Sequence, residues 1–239
     1  MAPPVQSAPK EFTSASLQKE AVSAFEKYNR IFGKSVKMPE LHFEAMQEGT
    51  ACVIEDKEKI TIRCTRSKSE IAHETAHVWA LAMVSETSEA GFKPVSYAVI
   101  PQLKALLHFK SPVSMINEGF ADYLACICEP ELREEILNKL PPNPTDEQIK
   151  AMIVLFADTL PEEQKQELLS SPMGHDDLMR VREASKFASL VARDLLYIHE
   201  KFGPEKALEI FLGIDENTAL NESPENWRAY LKANGLEIT

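Results

Sequence analysis

The chain has 239 residues, 44% of them hydrophobic, and a formal net charge of −11. This length fits one large domain with a full hydrophobic core. The negative charge argues against a nucleic acid or an anionic membrane surface as partner, and without eighteen consecutive apolar residues we expect no membrane-spanning helix.

The start of the chain predicts a disordered tail over residues 1–11, followed by a single domain over 12–239. The tail has neither a basic region nor an apolar run, so it does not read as a signal peptide. We therefore expect a cytoplasmic protein. The alternative is an exported protein whose signal is absent from this chain.

The first elements predict a helix and a small antiparallel sheet. Apolar residues at helical spacing indicate a helix over 13–32. Two strand-like runs, near 38–43 and 50–54, are followed by a charged turn within 54–62 that indicates a hairpin. Cys52 and Cys64 flank this turn. A disulfide between them and two reduced thiols both stay open, and the lack of an export signal favours the thiols.

The next predicted helix, over 68–84, starts with a capping box and contains His73, Glu74 and His77 in an H-E-x-x-H pattern. Histidines four residues apart share one helix face and can reach one zinc ion. Glu74 then projects beside the metal, where it can accept a proton from zinc-bound water. The alternative is a helix with two incidental histidines. The apolar residues after His77 favour a buried helix, in which imidazoles need partners.

A second apolar helix, predicted from about 111 to 129, carries Glu118 and Asp122 four residues apart. Because a catalytic zinc usually has three protein ligands and a water, Glu118 is predicted as the third ligand. Asp122 is predicted to hold the far ring nitrogen of His73 and so fix its tautomer. The alternative, two exposed acids, is disfavoured by the apolar neighbours.

These two motifs, HETAH at 73–77 and NEGFADY at 117–123, resemble the gluzincin zinc metallopeptidases, the peptidase MA-like group that includes thermolysin. The resemblance covers about residues 40–130 well and the C-terminal helices loosely. It implies a mainly helical α+β, thermolysin-like zincin domain with a small N-terminal antiparallel sheet and a C-terminal helical part. It also implies two zinc histidines, a zinc glutamate and Glu74 as general base. We place Asn117 with Asp122 among the residues that support the ligands.

The chain departs from this pattern at the spacing of its two motifs. Forty residues separate His77 from Glu118, more than in thermolysin, so residues 85–114 are expected to form an insertion at one rim of the cleft. A proline-rich stretch over 130–172 is expected to form a further helical insertion or lid.

The second departure concerns the group that stabilises the oxyanion. A long helix is predicted from Asp176 or Asp177 to residue 201, and where a tyrosine is expected the chain reads Phe187-Ala188. We predict His175, just before this helix, as the donor. Its equally open alternative is a histidine paired with one of the two aspartates. Arg180, Arg182 and Tyr123 are the other donors considered. Two final helices are predicted over 204–212 and 223–232.

The predicted function is zinc-dependent peptide-bond hydrolysis by an endopeptidase, with one zinc ion per chain and a peptide or protein substrate. An aminopeptidase is disfavoured because no Gly-x-Met-x-Asn-like motif precedes the histidines. The alternative from a different class is a zinc-stabilised, non-catalytic binding module on the same fold. Neither the specificity nor the oligomeric state follows from the sequence.

Overall fold

The computed structural model describes residues 13–45, 52–56, 59–64, 67–87, 114–138, 175–214 and 222–238. The predicted tail over 1–11, residues 88–113 of the expected insertion, and most of the expected lid lie outside the described residues. The beginning of that lid is described, and it forms a 3₁₀ turn, Pro130–Leu132, and a short helix where a helix was predicted.

The described part is mainly helical with one small sheet, as predicted. Its elements in chain order are α1 (Ser14–Ile31), β1 (Leu41–Ala45), β2 (Cys52–Asp56), β3 (Lys59–Cys64), α2 (Lys68–Thr87), α3 (Ser114–Cys128), α4 (Arg133–Leu137), α5 (His175–Phe202), α6 (Pro204–Leu212) and α7 (Pro224–Ala233).

Local chemistry fixes both ends of α1. The hydroxyl of Thr13 accepts a hydrogen bond from the backbone N–H of Ser16, and the Ser16 hydroxyl accepts one from the backbone N–H of Thr13. This reciprocal cap satisfies two donors that a helix start would otherwise leave open. Gly33 follows the helix with a φ of 59°, a left-handed conformation that glycine adopts without steric cost.

The sheet is mixed, so the prediction of an antiparallel sheet is correct for one pair of strands and wrong for the other. The strand order is β1-β3-β2. The hairpin strands β2 and β3 pair antiparallel, whereas β1 pairs parallel to β3. A tight turn dictates antiparallel pairing of its two strands. Nothing local dictates where β1 pairs, and it adds beside β3 rather than beside β2. The two outer strands are therefore β1 and β2. The side chain of Cys64 is fully buried in β3.

The first helix holds the second in place through two polar contacts. The hydroxyl of Tyr28 donates to the carbonyl of Ala72 at 2.7 Å, and the indole N–H of Trp79 donates to the side-chain oxygen of Asn29 at 2.9 Å. Every residue over 71–80 of α2 is buried. These bonds fix the rotation of α2 about its axis, and that rotation decides which way the two histidines point.

Helix α3 lies at the centre of the described part and packs against α2 on one side and α5 on the other. The approach to α5 is closest at Gly119, where an added Cβ would lie 2.6 Å from the carbonyl oxygen of Ala188 and 2.6 Å from the Cβ of Val191. Phe120 joins α3 to α6 by stacking on Phe211, with ring centroids 3.6 Å apart. No helix in the described ranges is long and apolar enough to cross a membrane.

A buried polar contact attaches the C-terminal helix to α5. The indole N–H of Trp227 donates to Asp194 at 2.9 Å, and Arg228 lies 3.3 Å from the other oxygen of that carboxylate. Because Asp194 is only 4% exposed, burial raises its pKa above the usual range, while the indole and the guanidinium act in the opposite direction. The carboxylate thus has the partners that a buried acid needs.

Candidate metal centre

The two histidines of the H-E-x-x-H pattern lie one turn apart on α2 and point the same way. Their Nε2 atoms are 3.1 Å apart, and both side chains are buried. The i, i+4 spacing places them on one helix face, and the contacts of α1 aim that face at α3.

Glu118 of α3 completes the group. One carboxylate oxygen lies 3.1 Å from Nε2 of His73 and the other lies 3.4 Å from Nε2 of His77. Three ligands at zinc-like bond lengths in a tetrahedron are separated from one another by about 3.3 Å. The observed separations match this edge length, so His73, His77 and Glu118 could hold one metal ion. These three side chains are called the metal group below.

Asp122 determines which nitrogen of His73 faces the group. Its Oδ1 lies 2.7 Å from Nδ1 of His73, which is the contact that the sequence analysis expected. A carboxylate accepts the Nδ1 proton, and the neutral ring then presents its Nε2 lone pair to Glu118. Nε2 of His73 lies 3.1 Å from the carboxylate of Glu118, a contact in which either a proton or a metal cation can lie between the nitrogen and the oxygen.

Asn117 performs the corresponding task for His77. Its side-chain amide nitrogen lies 3.0 Å from Nδ1 of His77, and its Oδ1 is buried without a hydrogen-bond partner among the described residues. A half-turn of the amide exchanges its two ends. The oxygen then accepts the Nδ1 proton of His77, and the Nε2 lone pair is left for the metal group. Asn117 can therefore pair with either tautomer of this ring.

The electrostatics of Glu118 agree with a cation site. Burial alone would raise the pKa of Glu118, but the neighbouring imidazoles of His77 and His73 hold it well below its usual range. The carboxylate is therefore ionised at neutral pH. Its side chain is 27% exposed, compared with 8% for His73 and 5% for His77, so the group opens toward solvent on the side of Glu118.

The structure places Glu74 on α2, between the two histidines in sequence, with 7% of its surface exposed. Its backbone belongs to the same rigid, buried helix as both histidines. The backbone of Glu74 is therefore fixed relative to the backbones of His73 and His77.

Among the predicted oxyanion donors, only Tyr123 has its side chain within the described residues. His175 is the first residue of α5 rather than part of a loop before it. Its side chain and those of Arg180 and Arg182 lie outside the described residues, so the role of His175 stays a prediction. Tyr123 is fully buried, and its hydroxyl pairs with Nδ1 of His199 at 2.9 Å. That contact engages Tyr123 away from the metal group.

Phe187 and Ala188, where the resemblance implied a tyrosine, are buried. The carbonyl of Ala188 lies against Gly119, the neighbour of Glu118. This part of α5 therefore packs against α3 at the residue next to Glu118.

One contact at the site has no counterpart in the sequence analysis. The carboxylate of Glu222 accepts hydrogen bonds from the backbone N–H groups of Met115 at 3.1 Å and Ile116 at 3.4 Å. These residues immediately precede Asn117 and Glu118. No local pattern relates residue 222 to a helix start more than a hundred residues earlier, so the sequence carries no signal for this contact.

Comparison with known proteins returns no relative. No protein-family model, no curated protein and no solved structure has a significant match to the chain.

Proposed function

We propose that this protein is a zinc-dependent peptidase, in which His73, His77 and Glu118 bind the metal and Glu74 is the general base. The observation that carries the proposal is the convergence of two imidazole nitrogens and a carboxylate at 3.1–3.4 Å. Each histidine also has a partner for its other ring nitrogen. Such partners recur around the ligands of metal sites.

The donor set favours zinc among the common metals. Two imidazoles and one carboxylate form a borderline-soft set with three protein ligands, which is typical of catalytic zinc. Calcium and magnesium take oxygen ligands instead. The partial exposure of Glu118 supports a site that a substrate can reach, because structural zinc sites are closed by four protein ligands.

In the proposed peptide hydrolysis, the metal and the protein side chains have separate roles. A zinc ion at such a site polarises a carbonyl group and acidifies water. The chain itself supplies an ionised Glu118 and a carboxylate base at Glu74. In peptide hydrolysis this base takes a proton from the attacking water and delivers it to the leaving amine.

A peptide substrate is supported by the position of the sheet. The outer strand β2 pairs on one side with β3, and both strands pack against α2, the helix that carries the histidines. An outer strand can add an extended peptide by main-chain hydrogen bonds. Together with the two motifs, this arrangement supports a thermolysin-like zincin domain as the proposed fold family.

The experiment is hydrolysis of a broad peptide library by the wild-type protein and by Glu74→Gln. The substitution retains size and polarity and removes the base, so zinc content should persist while the rate falls by roughly 10²–10⁴. Glu70→Gln, the same change one turn earlier on α2, is the matched control and should retain activity. Loss of zinc in Glu74→Gln would make Glu74 a ligand. An unaltered rate would place the activity elsewhere, and no cleavage by either protein would favour the non-catalytic binding module.

A further inference from the structure

The first turn of α3 is held by a residue from the far end of the chain. Glu222 lies directly before Ser223, the residue that caps α7, and its two carboxylate oxygens face Met115 and Ile116 of α3. The backbone N–H groups of a first helical turn have no partner within the helix. A carboxylate that accepts two of them satisfies both donors and opposes the positive end of the helix dipole.

The cap by Glu222 lies close in sequence to two residues of the metal site. Glu118 is the fifth residue of α3, and Asn117 is the fourth. Helix ends fray within their first turn. Asn117 ends this turn and Glu118 follows it directly, so the positions of both depend on how the start of α3 is anchored. Asp122 lies one turn further along, in the interior of the helix.

Small displacements at this turn would disturb the metal group. The carboxylate of Glu118 has to lie within hydrogen-bond distance of two imidazoles at once, at 3.1 and 3.4 Å. Functional groups need to be held to within about 0.5 Å of the productive geometry. Helix α3 is held on both sides of Glu118 in sequence. On the C-terminal side, Gly119 packs closely against α5, and on the N-terminal side, Glu222 binds the first turn.

We infer that Glu222 is a positioning residue of the metal centre, which couples the segment before α7 to the ligand Glu118. The inference rests on the proposed metal site. It differs from a purely stabilising role of the cap in one measurable respect. Loss of Glu222 destabilises the metal-free protein. It also lowers the affinity for zinc, and this decrease is larger than the destabilisation alone explains.

The chain provides a matched control at the next residue. Ser223 accepts a hydrogen bond from the backbone N–H of Asn226 at 3.1 Å and so caps α7, and no hydrogen bond joins Ser223 to α3 among the described residues. Ser223→Ala and Glu222→Ala each remove one helix cap at adjacent positions. Only Glu222→Ala removes the cap of the helix that carries the ligand.

The experiment measures the zinc affinity of the full chain by competition with a chromophoric chelator, and the unfolding midpoint of each metal-free protein. Supporting residues around metal ligands typically contribute 10- to 100-fold in affinity. We expect Glu222→Ala to lose zinc affinity in this range and Ser223→Ala to retain the wild-type affinity. The unfolding midpoints of the two metal-free variants should be similar. Glu222→Gln retains one acceptor oxygen, so it should fall between wild type and Glu222→Ala, and it carries the test if Glu222→Ala does not fold.

The visible spectrum of the cobalt-substituted protein gives a second readout, because it reports the coordination geometry directly. It should change in Glu222→Ala and Glu222→Gln but not in Ser223→Ala. Equal affinities and spectra in wild type and the Glu222 variants would overturn the inference and leave the proposed metal site intact. Equal losses in Glu222→Ala and Ser223→Ala would also overturn it. A wild-type protein that binds no zinc would overturn the metal site itself, and the inference with it.

Discussion

His73 and Asp122 face each other across the contact between α2 and α3, with Nδ1 and Oδ1 2.7 Å apart. One turn further along α2, His77 lies beside Glu118 on the preceding turn of α3. The two helices therefore run antiparallel, and each of these two pairs joins facing turns of α2 and α3. This register brings the residues of the two sequence motifs, 73–77 and 117–123, together in space.

Removal of the Asp122 carboxylate should weaken zinc binding without unfolding the protein. The carboxylate holds the tautomer of His73 that presents Nε2, and such partners contribute about 10- to 100-fold in affinity or activity. Asp122→Ala should show this loss in a chelator competition, and Asp122→Asn a smaller one. Asp194→Asn is the matched control, since it alters another buried carboxylate that contacts Trp227 and Arg228. Wild-type affinity in both Asp122 variants would make this contact irrelevant to the metal.

The ligand assignment itself is tested by metal content. His77→Ala and Glu118→Ala each remove one of three protein donors, so the purified variants should contain far less than the one zinc per chain expected of wild type. The control is His42→Ala, which changes an exposed histidine on β1. Full zinc content in both ligand variants, measured by atomic spectroscopy, would contradict the assignment.

The sequence predicted the parts of the site that depend on local spacing. The H-E-x-x-H pattern indicates a shared helix face at His73 and His77, and the four-residue separation of Glu118 and Asp122 indicates a second one. Both follow from helix periodicity. Helix α2 starts at Lys68, as the sequence predicted.

The features that the sequence did not reveal depend on contacts between distant segments. Strand β1 pairs parallel to β3, and that choice is made by tertiary packing rather than by any turn. Glu222 reaches the start of α3 from the far end of the chain. Gly119 lies within a motif, but its close approach to α5 is visible only once the two helices are placed together.

Gly119→Ala should destabilise the protein although alanine is the better helix former. Helix propensity alone favours alanine by roughly 1 kcal/mol. The new Cβ, however, would lie 2.6 Å from the backbone carbonyl of Ala188 and from Val191, and overpacking of this kind costs about 1–3 kcal/mol. A backbone carbonyl cannot rotate away as a flexible side chain can, so α5 has to move.

Denaturant unfolding of the metal-free protein measures this effect, and Gly213→Ala is the control. At Gly213 the nearest atoms to an added Cβ are 3.1 and 3.2 Å away, so the loss should be smaller. Zinc affinity should also fall in Gly119→Ala, because its neighbour Glu118 shifts with α3. A Gly119→Ala protein as stable as wild type would show that the two helices separate at little cost.

The pair of Tyr123 and His199 predicts a pH dependence of stability. Burial lowers the pKa of His199, an effect that the nearby carboxylates of Glu200 and Glu205 only partly oppose. Burial likewise raises the pKa of Tyr123, so its hydroxyl keeps its proton and donates it to Nδ1 of a neutral His199. The imidazole therefore titrates at a lower pH in the folded protein than in the unfolded chain, where its pKa is about 6.5.

The sign of the effect follows from linkage. As the pH falls below about 6.5, the unfolded chain takes up a proton that folded His199 does not yet bind, so its contribution to stability is present above this pH and is lost below it. Unfolding midpoints of metal-free wild type and His199→Gln should therefore converge, or change order, between about pH 7 and pH 5. Every other residue is the same in both proteins, so the difference in midpoint isolates the contribution of residue 199. A difference in midpoint that stays constant across this range would show that His199 has the same pKa in the folded and unfolded states.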